Sequence, residues 1–146
     1  SLFCRAYPQI LAALSSMVGK ESHGGVLDNV CGALARLIIS NSSLVPIKDV
    51  LPVFISYLPL RQDYVENEQV FKSLELLYRQ GNEILLQFLE RVIFTALTVL
   101  QKNQYAKDEV REQIFAFVRQ VRQDFPEKFN NACNLDAEIS NFVQSL

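Results

Sequence analysis

The chain has 146 residues, enough for one sizeable core but short of two comfortable domains. An apolar fraction of 49% against 21% charged residues places it among ordinary globular chains and argues against disorder. Its 14 basic and 16 acidic residues give a formal charge of −2, which excludes the broad positive field of a nucleic-acid binder.

Other counts narrow the chemistry. A single His, three Cys and five Gly leave little from which to assemble a catalytic centre. Cys4, Cys31 and Cys133 are odd in number and far apart, and two of them lie in apolar-periodic runs. Reduced thiols in a cytosolic or nuclear protein are expected, not a disulfide framework or a zinc site. The most apolar stretch, Ile84 to Leu100, contains Gln87, Glu90 and Arg91 and falls short of the ~20 apolar residues of a membrane span. It reads as a helix buried on several sides by protein. The chain begins Ser-Leu-Phe-Cys, has its one Met at position 17 and shows no leader pattern, so a piece of a longer chain is expected.

In chain order, apolar residues recur at helical spacing and nowhere alternate. Pro8 opens a first helix with Ile10, Leu11, Leu14, Met17 and Val18 on one face, broken by Gly19 and by a turn at Ser22-His23-Gly24-Gly25. Leu27, Val30, Cys31, Leu34, Leu37 and Ile38 form a second stripe, ended by Asn41-Ser42-Ser43. Pro46 restarts the pattern, and Val50, Leu51, Phe54, Ile55 and Leu58 predict a third helix, kinked at Pro52 and closed by Pro59. A fourth carries Val70, Phe71, Leu74, Leu77 and Tyr78 and is capped by Gly81. Asn82 caps a long fifth helix reaching about Gln101, and Asp108 caps a sixth bearing Val110, Ile114, Phe117, Val118 and Val121. Pro126 starts a short seventh segment, and Leu135, Ile139, Phe142, Val143 and Leu146 give a last amphipathic set.

The helices come in pairs, and the pairs repeat. Pro8 to Pro46 is 38 residues, as is Asp28-Asn29 to Glu66-Asn67, and the next second-helix start, near Asp108, follows after about 42. Such periods match stacked pairs of the HEAT or armadillo type, at roughly 40–47 residues. The expected fold is all-α, a right-handed α-solenoid of HEAT-type pairs. The repeats are 8–41, 46–80 and 82–124, and 126–146 is a C-terminal cap. The first, third and fifth helices form an outer row, and the second, fourth and sixth an inner row lining a concave face. An antiparallel bundle of this length is the structural rival; the repeated acid-Asn pair favours the solenoid.

Catalytic and cofactor signals are missing. His23 sits in a Gly-rich turn with no second His, and no phosphate-binding Gly motif occurs. No cofactor and no metal are expected. The informative polar cluster is Asp63, Glu66, Asn67 and Glu68, three acids and no base within six residues. Its plain reading is N-capping and first-turn carboxylates favoured by the helix dipole. Its functional reading uses an Asn amide, which both donates and accepts, to hold the backbone of an extended peptide while carboxylates pair with that peptide's Lys or Arg. Asp28, Asp108, Glu109 and Glu112 extend the acidic line. Arg111, Arg119 and Arg122 read as a solvated mixed-charge face, and the Phe residues mostly as core.

The run Asp28-Asn29-Val30-Cys31-Gly32-Ala33-Leu34-Ala35-Arg36-Leu37-Ile38, with Val50-Leu51-Pro52 and Tyr57-Leu58-Pro59-Leu60-Arg61-Gln62-Asp63 after it, resembles C-terminal HEAT repeats of the importin-β (karyopherin-β) family, nearest its importin-four branch. The resemblance implies a non-enzymatic nuclear import receptor that moves between cytoplasm and nucleus. It implies basic cargo, notably histones H3 and H4 and ribosomal proteins, on the inner helices; the alternative is a HEAT-repeat protein-protein interaction scaffold without preference for basic cargo. It implies Ran bound through an N-terminal region absent here, and Phe-Gly nucleoporins on the outer surface. Neither nucleic acid nor membrane is an implied partner. By position, Asp28, Asn29, Asp63, Glu66 and Asn67 match the inner-helix acid and Asn places, and are the expected cargo-binding residues.

Overall fold

The computed structural model describes residues 24–146. The expected first helix from Pro8, Cys4, His23 and the start of the first repeat lie outside the described residues. Among these are eight α-helices and no strand. They are α1 (Gly24–Asn41), α2 (Ile47–Ser56), α3 (Asn67–Arg79), α4 (Glu83–Gln87), α5 (Leu89–Gln101), α6 (Asp108–Asp124), α7 (Pro126–Cys133) and α8 (Ala137–Gln144). Short 3₁₀ turns at Ser42–Leu44 and Tyr64–Glu66 complete the path.

The helices stack as pairs in two rows. In one row α1 packs on α3 and α3 on α6; in the other α2 packs on α4 and α5 on α7. Helix α5 also packs on α6, and α8 closes the end of the stack against α5 and α7. The result is an all-α helical solenoid with one continuous core running from Cys31 to Ile139. Helix α3 contributes a single stripe, Val70, Phe71, Leu74 and Leu77. Helix α5 is buried on several sides, at Leu89, Val92, Ile93, Ala96, Leu97, Val99 and Leu100. Each buried Val, Leu, Ile or Phe side chain among these contributes about 1.5–3 kcal/mol of transfer free energy, so the rows hold each other together.

Helix ends follow their local chemistry, with several departures from expectation. Gly81 has φ +66° and closes α3: its N–H donates to Tyr78 O and that of Asn82 to Leu77 O, both at 3.0 Å. Asn103, at φ 54°, closes α5 the same way, with Gln104 N donating to Val99 O at 2.9 Å. Gly24 and Gly25 lie within α1 and not in a turn. Helix α2 runs through Pro52. The long fifth helix is in fact two, α4 and α5, separated at Phe88. Asn82 caps α4 as expected, its side chain accepting from Leu85 N at 3.0 Å. At the break, Leu86 O accepts from Lys128 Nζ at 2.9 Å, so a side chain of α7 satisfies a carbonyl where the helix is interrupted. Asp108 is the first residue of α6 rather than its cap. Leu135 and Leu146 are exposed, at 62% and 58%, so the last helix buries only Ile139 fully.

Substituting Gly81 tests the αL cap. No atom lies within 4 Å of a Cβ placed there, so Gly81→Ala meets backbone strain alone. It is expected to cost about 1 kcal/mol in urea unfolding.

Candidate functional site

The expected site residues gather where the segment after α2 crosses the start of the α1–α3–α6 row. Gly24, Asp28, Gly32 and Arg36 recur every four residues and share one face of α1. The segment from Arg61 to Glu66 lies along that face. Asp28, 1% exposed, presents its carboxylate to three successive backbone amides. Gln62 N and Asp63 N each donate to Oδ2 at 2.7 Å, and Arg61 N donates to Oδ1 at 3.0 Å and Oδ2 at 3.1 Å. Consecutive N–H groups converging on one anion compensate a buried charge that would otherwise be costly.

The glycines explain how the segment approaches so closely. A Cβ on Gly24 would lie 3.0 Å from Arg61 Cβ, and one on Gly32 would overlap the Glu66 carboxylate. Glu66 therefore sits on the bare backbone of Gly32, its side chain 13% exposed. It contacts Arg36 at 2.9 Å as an ion pair, without the alignment of a hydrogen bond.

Asn67 repeats the arrangement one helix along the row. It is 1% exposed, and its Nδ2 donates to Gln104 O at 2.7 Å in the turn before α6. Asp28 thus holds the segment leading into α3, and Asn67 holds the turn leading into α6. The 38-residue acid-Asn period does not mark equivalent roles: it pairs buried Asp28 with Glu66, and exposed Asn29 with buried Asn67. Asp28 and Asn67 are buried and engaged with backbone, so a partner lying on the surface would not touch them. This corrects their expected role as direct contacts. Glu66 is committed to Arg36 and Gly32. Asn29 is exposed and Asp63 partly so. The structure therefore brings Asp28, Asp63 and Glu66 together, with Asn29 next to them on α1, and places Asn67 toward α6.

Along the row, Asp108, Glu109 and Glu112 are exposed, and Glu112 pairs with Arg111 at 3.0 Å. Glu68 meets Lys72 at 3.1 Å and Lys107 at 3.9 Å. Arg111 and Arg122 are less free than a solvated face implies: each lies over an aromatic ring, Phe115 at 4.7 Å and Phe129 at 5.0 Å. Among the described residues no group of three or more His, Cys, Asp or Glu could hold a metal ion. No helix among them is long and apolar enough to cross a membrane. A polar set missed in the sequence joins α3 to α6, where Gln113 Nε2 donates to Glu75 Oε2 at 3.2 Å. Its two members are 38 residues apart, the same period as Asn29 to Asn67, so the repeat itself was the available signal.

Burial, followed by the nearby charges of Asp28 and Glu66, pushes the Cys31 thiol up to about 12. At pH 8 its thiolate fraction is on the order of one in ten thousand. Iodoacetamide at pH 8 followed by peptide mapping is expected to leave Cys31 unmodified in the folded chain and to modify it once urea unfolds the chain. Asp28→Ala strands three amides and is expected to cost about 3 kcal/mol in urea unfolding. Asn29→Ala, at an exposed position, should stay within about 0.5 kcal/mol.

No family model matches the sequence. Similarity to curated proteins is extensive over this chain. It is 32% identical over 126 residues to a Schizosaccharomyces pombe protein named "Probable importin subunit beta-4", covering 86% of this chain and 12% of that protein. It is 28% identical over 102 residues to Importin-4 of Homo sapiens, covering 70% of this chain and 9% of that protein. The Mus musculus Importin-4 gives 26% over 102 residues. The chain spans about a tenth of the length of these relatives. With this similarity running through a helical solenoid of stacked pairs, the chain belongs to the importin-β family.

Proposed function

We propose that this chain is a cargo-binding segment of a nuclear import receptor, taking basic, extended protein segments along the α1–α3–α6 row. Histone H3 and H4 tails and ribosomal proteins are the cargo class that fits. The observation that carries this reading is the division of labour at the start of the row. Asp28 and Asn67 fix the loops from inside, while Asn29, Asp63 and the carboxylates of Asp108, Glu109 and Glu112 reach solvent along the same three helices. Exposed carboxylates on one row complement Lys and Arg, and an exposed amide can hold a peptide backbone. The names of the relatives support an import role.

On this reading the chain is a receptor segment and not an enzyme, working between cytoplasm and nucleus. Ran would bind the receptor outside this segment, and Phe-Gly nucleoporins would meet the α2–α4/α5–α7 side. The repeats would divide at 8–41, 46–80 and 82–124, with 126–146 as the cap. Glu66 serves as a positioning residue that sets Asp63 and the start of α3 through Gly32 and Arg36.

Calorimetry with a histone H3 tail peptide tests the reading. Affinity is expected to fall steeply as salt rises, and to weaken at least fivefold in the double variant Asn29→Ala/Asp63→Lys. Salt-independent affinity, or equal affinity in that variant, would remove the site from the reading.

A further inference from the structure

A cavity of about 740 Å³ lies between α3 and α6, beyond the residues assigned above. That volume is in the range of sites that enclose a bulky group. Leu86, Ala116, Phe117 and Phe125 give it an apolar wall. Tyr78 sets two of these: its ring stands edge-on to Phe117 at 5.5 Å and to Phe125 at 6.3 Å.

Two carboxylates border the same space. Tyr78 OH donates to Asp124 Oδ2 at 2.5 Å, and Gln120 Nε2 donates to both Asp124 oxygens at 3.0 and 3.1 Å. Glu75 accepts from Gln113 across the groove. Every one of these donors is neutral, and among the described residues neither carboxylate has a cation within ion-pair distance. Arg79, which also borders the cavity, turns its Nε toward the backbone carbonyl of Glu75 at 3.5 Å. Neutral hydrogen bonds fix the two carboxylates in place without cancelling their charge. Burial pushes the Glu75 carboxyl up, against the opposing pull of the Gln113 hydrogen bond and of the nearby Arg79 and Lys72 charges, while the Tyr78 hydrogen bond holds Asp124 low.

We infer that this cavity receives a bulky apolar side chain of an extended peptide whose neighbouring Lys or Arg pairs with Glu75 and Asp124. A peptide of basic residues alone would leave the apolar wall uncovered. A peptide of apolar residues alone would bring desolvated surface against two carboxylates that form no ion pair. Only the combination satisfies both parts. The inference rests on the reading that the α1–α3–α6 row carries cargo, and it adds a sequence requirement that a purely electrostatic row lacks.

The test uses the ¹⁵N-labelled 146-residue chain and three disordered peptides that share one polar frame. Their centres are Lys-Leu-Lys, Lys-Ser-Lys and Gln-Leu-Gln. The first is expected to shift the amide resonances of Ala116, Phe117 and Gln120 and to bind at least fivefold tighter than either of the others. Ala116 is exposed on α6, so Ala116→Trp fills the cavity from its mouth and should abolish the response. Equal binding of Lys-Leu-Lys and Lys-Ser-Lys would overturn the inference while leaving the basic-cargo reading intact. So would an unchanged response in Ala116→Trp. Loss of binding by all three peptides alongside retained binding of the histone H3 tail would also overturn it. Should Ala116→Trp fail to fold, the comparison of the three peptides on the unaltered chain decides alone.

Discussion

The carboxylate of Asp28 takes the amide hydrogens of three successive residues, and the placement of α3 depends on it. A buried carboxylate without partners would be costly enough to be protonated or excluded. Here the chain supplies three donors from one turn of backbone, so a local liability becomes a fixed junction. Gly24, one helical turn before it, allows that segment to come within contact distance, and Gly32, one turn after it, leaves room for the Glu66 carboxylate. A side chain at Gly24 would press on Arg61, and one at Gly32 would displace the Glu66 carboxylate. Charge and close packing are therefore coupled on a single face of α1.

The same solution recurs with different chemistry. Asn67 holds the turn before α6 by one amide donor, with no charge buried. A neutral hold carries less desolvation cost and also less attraction, and the turn it serves has its own support in the Asn103 cap of α5. In the earlier junction the segment after α2 has no comparable helical cap, and the carboxylate supplies what the backbone does not. The two junctions place α1, α3 and α6 side by side, and this adjacency creates the groove bordered by Glu75 and Asp124.

Much of the architecture was legible in the residues. The pairing of helices followed from apolar stripes at 3.6-residue spacing, and the stacking from a 38-residue period that no isolated bundle requires. Gly81 and Asn82 announced the end of one helix and the start of the next, because their local chemistry admits few alternatives. The break at Phe88 was not legible: no Gly or Pro marks it, and its freed carbonyl is satisfied by Lys128, forty residues on. Leu135 looked like core because spacing alone cannot tell a helical turn from the link before it. The site was half legible. Asp28 and Asn67 belonged to the periodic acid-Asn pairs, but an acid or Asn near a helix start has the same pattern whether it faces solvent or a distant loop. Only the approach of residues 61–63 decides, and that contact is nonlocal.

The placement of the two holds has a mechanical consequence. Both lie near the N-terminal ends of α1 and α3, where bonds to backbone fix the spacing between neighbours. At the opposite ends of α3 and α6 the helices meet through Tyr78, Gln113 and their carboxylates around open space. The row is thus joined by side-chain-to-backbone bonds along one margin and by side-chain-to-side-chain contacts along the other. A change in curvature would fan the helices about the first margin and alter the width of the groove, so the grip on an occupant and the bend of the arch would be one degree of freedom.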